Sequence, residues 1–168
     1  SQDVYALEMQ HLFANVWVFV GHESQTPKHG DYFTTQIGSQ PVIQVRHSDS
    51  KIKVLHNRCP HKGTKIAIDR HGNTGTFFRC PYHAWSFETD GRLKAVPLES
   101  GYSNTSFETT ENANGIKPVG AVHNHRGFVF ARLADSGISF DDFFGDSLSS
   151  IDNMVDRSPE GRLEVAGP

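Results

Sequence analysis

Apolar residues fall first at Val4, Leu7, Met9, Leu12, Phe13 and Val16. That mostly helical spacing predicts one short helix from Asp3 to about Trp17, with Asp3 as its N-cap. Beyond Trp17 the pattern changes to short runs of β-branched and aromatic residues between turn signals: WVFVG, DYFTTQIG, PVIQVR, KIKVLHN, TGTFFRC, AWSFETDGRLKAV and RGFVFARL. Such runs predict an antiparallel β domain. Asp90-Gly91, between WSFET and RLKAV, predicts a hairpin with a type I′ turn, which needs positive φ at both central residues. After Leu133, Ser147 is placed to cap a short amphipathic helix carrying Leu148, Ile151 and Met154. There are no repeats and no low-complexity tract.

The 168 residues suffice for one well-buried domain and are short for two, so residues 1–168 are read as a single unit. The 16 basic and 19 acidic residues are mixed along the chain, giving a net charge of −3 and no polyanion-binding stripe. This argues against a nucleic-acid partner. No apolar run approaches the ~20 residues of a membrane span. No basic-then-apolar signal segment is present, so the expected setting is cytoplasmic, with no membrane partner.

The chain's two cysteines carry the chemistry. Each sits in a Cys-Pro loop with a histidine close behind: Cys59-Pro60-His61 and Cys80-Pro81-Tyr82-His83, with 18 residues between His61 and Cys80. A Cys59–Cys80 disulfide is possible in principle, but two lone cysteines without an export signal read better as thiolate ligands or inert core residues. The adjacent histidines favour metal binding. A zinc finger segregates its ligands, two Cys from one turn and two His from a helix, whereas here each loop supplies one thiolate and one imidazole. A Rieske [2Fe–2S] centre, with two Cys on one iron and two His on the other, accounts for that mixture better.

Cys59-Pro-His61-Lys-Gly, the spacer and Cys80-Pro-Tyr-His83-Ala-Trp85 resemble the Rieske motif of aromatic-ring-hydroxylating oxygenase large (α) subunits. The likeness extends to Leu12–Trp17, Val20-Gly21-His22-Glu23, Gly30-Asp31-Tyr32, LHNRCPH and RGFVFARL, covering nearly the whole chain. The resemblance implies an all-β Rieske domain with a small cluster-binding subdomain and short flanking helices. It implies a core over about residues 40–134, cluster loops at 59–64 and 80–87, and a tail over 135–168. Cys59 and Cys80 are expected on the inner iron and His61 and His83 on the outer, with Lys62, Gly63, Tyr82 and Trp85 around them. The family usually has Arg where Lys62 stands, and Lys lacks Arg's planar fork. The resemblance also implies a catalytic domain beginning where this chain stops, at Pro168, with a mononuclear Fe(II) in a 2-His-1-carboxylate triad. The expected donor is a ferredoxin or flavin reductase, and the expected assembly is α₃ or α₃β₃.

Respiratory Rieske proteins carry an extra Cys in each loop, and hydroxyls that donate to the cluster sulfurs. Thr64 and Tyr82, then Trp85 and Phe87, stand at the matching positions. The potential is therefore expected near the lower end of the roughly −150 to +300 mV Rieske range. A free-standing Rieske ferredoxin shares the motif but is typically shorter and lacks the helical leader and long tail. A zinc-binding interaction module would share the four ligands without redox activity. His123 and His125, two apart before a strand, read as polar surface or interface residues, as do His22, His56 and His71. Asp141, Asp142 and Asp146 read as a solvated turn and helix start. Phe143-Phe144 reads as core or as a contact with a further domain.

Overall fold

A computed structural model of the chain describes residues 1–107 and 114–166; Gly167 and Pro168, the end of the expected tail, lie outside the described residues. Its strands are β1 (Val18–His22), β2 (Asp31–Ile37), β3 (Gln40–Arg46), β4 (Ile52–His56), β5 (His71–Asn73), β6 (Phe77–Arg79), β7 (Ser86–Glu88), β8 (Leu93–Ala95), β9 (Ala121–His125) and β10 (Phe128–Arg132). They form three sheets, ordered β1-β10-β9, β4-β3-β2-β5 and β6-β7-β8. Every pairing is antiparallel, as the alternating runs predicted.

The four-stranded sheet separates two cores. Val42 on β3 and Val54 on β4 pack with Val20, Ile37, Val129 and Ala131, joining this sheet to β1-β10-β9. The next residues along, Ile43 and Leu55, turn the other way and pack with Phe78, Trp85, Phe87 and both cysteines. Successive strand residues point to opposite faces, so a strand between two cores carries adjacent apolar residues, which explains Val42-Ile43 in β3 and Val54-Leu55 in β4. A third cluster covers the outer face of β10, where Phe130 meets Trp17, Phe140 and, at its edge, Phe144, Leu148 and Ile151.

The leader departs from expectation. Its α-helix α1 spans Gln2–Leu7, followed by a π-helical stretch Glu8–Leu12. Ser1, rather than Asp3, caps it, its Oγ accepting from Val4 N at 3.3 Å. The helix stops short of Trp17 where the Asn15 side chain donates to the His11 carbonyl at 2.8 Å, an alternative to the next helical turn.

Two turns also differ. At Asp90-Gly91 only Gly91 has positive φ (+98°), and Gly91 N bonds back to Glu88 O. A type I′ turn instead joins β9 to β10: Arg126 (φ +51°) and Gly127 (φ +96°) lie between the paired residues His125 and Phe128. A Cβ on Gly127 would lie 2.4 Å from His22 Nε2, which restricts that position to glycine.

The tail folds into α2 (Phe140–Phe144) and α3 (Leu148–Asp156). Ser139 caps α2, accepting from Asp142 N at 3.1 Å. Ser147 stands at the N-cap position of α3, as expected, but with helical torsions, and its hydroxyl donates to the Phe144 carbonyl rather than accepting from the first turn. Asp141, Asp142 and Asp146 are exposed, as expected of a helix start, and the two phenylalanines divide, Phe144 half-buried and Phe143 exposed. No helix among the described residues is long and apolar enough to cross a membrane.

Candidate metal centre

The two cysteine loops have the same backbone scaffold. In the first, Cys59 N donates to Thr64 O at 2.8 Å and Gly63 N to Cys59 O at 2.9 Å. In the second, Cys80 N donates to Trp85 O at 2.8 Å and Ala84 N to Cys80 O at 3.0 Å. The fourth residue after each cysteine has positive φ, +75° at Gly63 and +57° at Ala84. Asn57 anchors the first loop, accepting from Ile66 N and Ala67 N and donating to the Ala67 carbonyl at 2.7 Å. Nothing in the cysteine spacing singled out Asn57; a side-chain amide two residues before the first cysteine, just past the end of β4, is the signal that could have.

These loops sort the four candidate ligands by depth. Cys59 and Cys80 are 2% and 3% exposed, unbridged, and built into the core cluster. Burial pushes the Cys59 thiol up and the neighbouring Cys80 thiol reinforces this, while the backbone N–H groups of His61 and Lys62 favour its thiolate. The imidazoles lie farther out, His61 half-buried and His83 exposed, their ring centroids 4.7 Å apart. Burial, then His83 and Lys62, hold His61 below its ordinary value.

Aromatic rings support the histidines. Trp85, 3% exposed and part of the core cluster, stacks parallel to His61 at 4.7 Å and 1°. Tyr82 lies over His83 at 3.8 Å. Lys62 projects into solvent, and Gly63 lies against the Arg58 guanidinium, whose Nε would be 3.2 Å from an added Cβ.

The donors thus come as a thiol pair and an imidazole pair. Among the described residues no three His, Cys, Asp or Glu side chains converge as one ion's ligands. A mononuclear zinc site needs four ligands around one point; two separated pairs suit a group with two metal centres, soft thiolates at one and imidazoles at the other.

Among the described residues no other histidine joins these donors as a third ligand. His123 is within β9, stacked on Phe140 at 3.8 Å and edge-on to Trp17. His125 Nε2 meets Asp152 Oδ1 at 2.8 Å, while Arg126 reaches Asp156 at 2.7 Å, pinning α3 to the sheet. Both therefore serve an interface within the chain. His22 is a buried helix cap, Nδ1 accepting from Ser24 N, His56 ends β4, and His71 is exposed on β5.

Residues 16–109 match the Rieske [2Fe-2S] domain family, to which the chain therefore belongs. Within that family it is similar to α subunits of dioxygenases and of an N-demethylase. Toluate 1,2-dioxygenase subunit alpha of Pseudomonas putida is 38% identical over 164 residues, covering 96% of this chain and 35% of that protein. N,N-dimethyl phenylurea N-demethylase subunit alpha of a Sphingobium strain is 36% identical, covering 99% and 36%. Naphthalene 1,2-dioxygenase from Rhodococcus, solved with bound indole, superposes with a TM-score of 0.90 at 30% identity, over 99% of this chain and 37% of that one. The chain thus spans about a third of the length of these relatives.

Proposed function

We propose that this domain relays single electrons through a low-potential Rieske cluster, as the N-terminal part of a ring-hydroxylating oxygenase α subunit. Cys59 and Cys80 would hold one iron and His61 and His83 the other. The observation that carries this reading is the division of the donors into a buried thiol pair and an outward imidazole pair on matching loops. The bound group would supply reversible one-electron chemistry. The protein's own part is to bury the thiolates, direct backbone N–H groups at Cys59, hold the His61 ring against Trp85, and leave His83 at the surface, where an electron path is short.

By likeness to its relatives, the donor is a ferredoxin or flavin reductase in the cytoplasm, and the acceptor a mononuclear Fe(II) in a catalytic domain of the same polypeptide. That domain would oxygenate an aromatic substrate within an α₃ or α₃β₃ assembly. Iron and acid-labile sulfide analysis tests the cluster assignment: the gently purified protein is red-brown, with two irons and two sulfides per chain and a rhombic electron-spin signal on reduction. Replacing Cys59, His61, Cys80 or His83 by Ala abolishes or destabilises that signal. One tightly bound zinc without sulfide would refute the reading.

A further inference from the structure

The two imidazoles are supported unequally. The His61 ring lies parallel to the Trp85 indole, with 4.7 Å between centroids and 1° between planes. Trp85 is buried in the core cluster, where Phe107 meets it edge-on at 5.3 Å and the fully buried Phe87 lies 6.5 Å away. Its carbonyl accepts from Cys80 N at 2.8 Å, so an indole anchored in the second cysteine loop backs an imidazole carried by the first. The ring over His83 is that of its chain neighbour Tyr82, tilted 31° at 3.8 Å. Tyr82 is 64% exposed, so little of it is held by packing.

A ring stacked on a buried neighbour cannot swing away without opening a gap, and interiors packed to crystal density resist gaps. The plane of His61 is therefore set from the opposite loop. The part of its face that the indole covers is also closed to water. One-electron reduction of the bound group adds a negative charge, which water stabilises; an indole face, the negative pole of the aromatic quadrupole, does not. Burial and solvent exposure are among the protein's levers on the potential of such a group.

We propose that Trp85 is a positioning residue of the electron relay. It fixes the plane of the His61 ring across the two loops and keeps water from part of one face, which holds the potential down. His83, backed by an exposed ring, is the freer of the two imidazoles. The inference rests on the relay function proposed above and deepens it by giving the two outer ligands different roles.

The experiment uses the 168-residue chain loaded with iron and sulfide and carrying nitrogen-15 histidine. Pulsed electron–nuclear double resonance on the reduced form reads the coupling of each bound ring nitrogen, and a ring held in one orientation gives a narrow line. One coupling should be narrow and the other broad. In Trp85→Leu both should be broad, and Trp85→Phe, which keeps a ring in the stack, should restore most of the narrow line. At a fixed applied potential near the midpoint, the reduced-to-oxidised ratio should rise about fivefold in Trp85→Leu, roughly 40 mV for one electron. Trp85→Phe should raise it about twofold, roughly 20 mV. Phe130→Leu removes a ring from the separate cluster on the outer face of β10, and should change neither the line widths nor the ratio.

The two possible failures give different signals. A chain that loads no iron and sulfide, or whose reduced form shows no coupling to histidine nitrogen, overturns the relay reading itself. A loaded chain with two equally sharp couplings, or one in which Trp85→Leu leaves widths and ratio as they were, overturns the role of Trp85 alone. So does a ratio that falls in Trp85→Leu, or one that responds equally to Phe130→Leu. Where Trp85→Leu does not load, Trp85→Phe decides, and an unchanged or lower ratio in that variant overturns the proposal.

Discussion

Replacing Gly127 by Ala should cost far more than a methyl group suggests. Its φ of +96° lies where an L-residue is strained, at about 1–2 kcal/mol. The new Cβ would also lie 2.4 Å from His22 Nε2, and that ring cannot easily retreat. Nδ1 is held by Ser24, with Oγ at 3.0 Å and N at 3.2 Å; the backbone N donates to Gln25 Oε1 at 2.8 Å; and Phe128 packs edge-on at 5.1 Å. Forcing such a contact into packed structure adds about 1–3 kcal/mol. The total is about 3 kcal/mol, or a melting point lowered by about 6–12 °C for a domain of this size. Gly75→Ala is the control, since Gly75 has φ +69° but nothing within 4 Å of an added Cβ; the backbone alone should cost about 1–2 kcal/mol there. Thermal unfolding of both variants by circular dichroism separates strain from collision. Equal losses would mean that the His22 contact yields, and the rigidity ascribed to the β9–β10 turn would be refuted.

Ala84→Gly should raise the melting point slightly, by about 1–2 °C, because relief of left-handed strain outweighs the added freedom of the unfolded chain; a lower melting point in the loaded protein would contradict this. Burial holds His22, His56 and His123 below their ordinary value of 6.5. The unfolded chain therefore takes up protons first as pH falls through about 6.5, and the urea midpoint should drop between about pH 7.5 and 5.5; an unchanged or higher midpoint at the acid end would reject it. Because Thr64, Tyr82, Trp85 and Phe87 replace the respiratory disulfide and hydroxyls, protein-film voltammetry should give a negative potential at neutral pH that falls once the outer histidines titrate. A positive, pH-independent potential would show that these replacements do not set the chemistry. Loaded and reduced, the 168 residues should not hydroxylate benzoate, since on the reading proposed above the oxygen-activating iron belongs to a further domain; product formed with free iron excluded would refute this.

The sequence made some features legible and hid others for physical reasons. PVIQVR and RGFVFARL revealed their strands because Val42, Ile43 and Val45 in β3, and Phe128, Val129 and Phe130 in β10, are β-branched or aromatic. β5, at His71-Gly72-Asn73, has neither alternation nor β-branching, and its place beside β2 comes from pairing alone. The I′ turn escaped notice because arginine seldom adopts positive φ, whereas Asp90-Gly91 has the usual composition without both required torsions. At the candidate metal centre, residue type and spacing pointed to four candidate donors on two short loops, and the structure gives those loops one backbone scaffold. Type and spacing could not reveal that His61 lies flat on Trp85. The stack depends on how the two cysteine loops face each other, which residue spacing along the chain does not encode.

The order of the outer sheet has a consequence for biosynthesis. In its sheet β1 pairs with β10, His22 opposite Phe128, so β1 waits for a partner strand translated after β2 to β9. At ~5–20 residues per second that delay is about 5–20 s. Both cysteine loops and β2 to β8 are translated within the interval, and their pairings close among themselves. The nascent chain can thus enclose its thiols, and take up iron and sulfide, before β10 closes the outer sheet. A chain stalled before residue 128 would display β1 as a bare edge, a ready tag for chaperones and proteases.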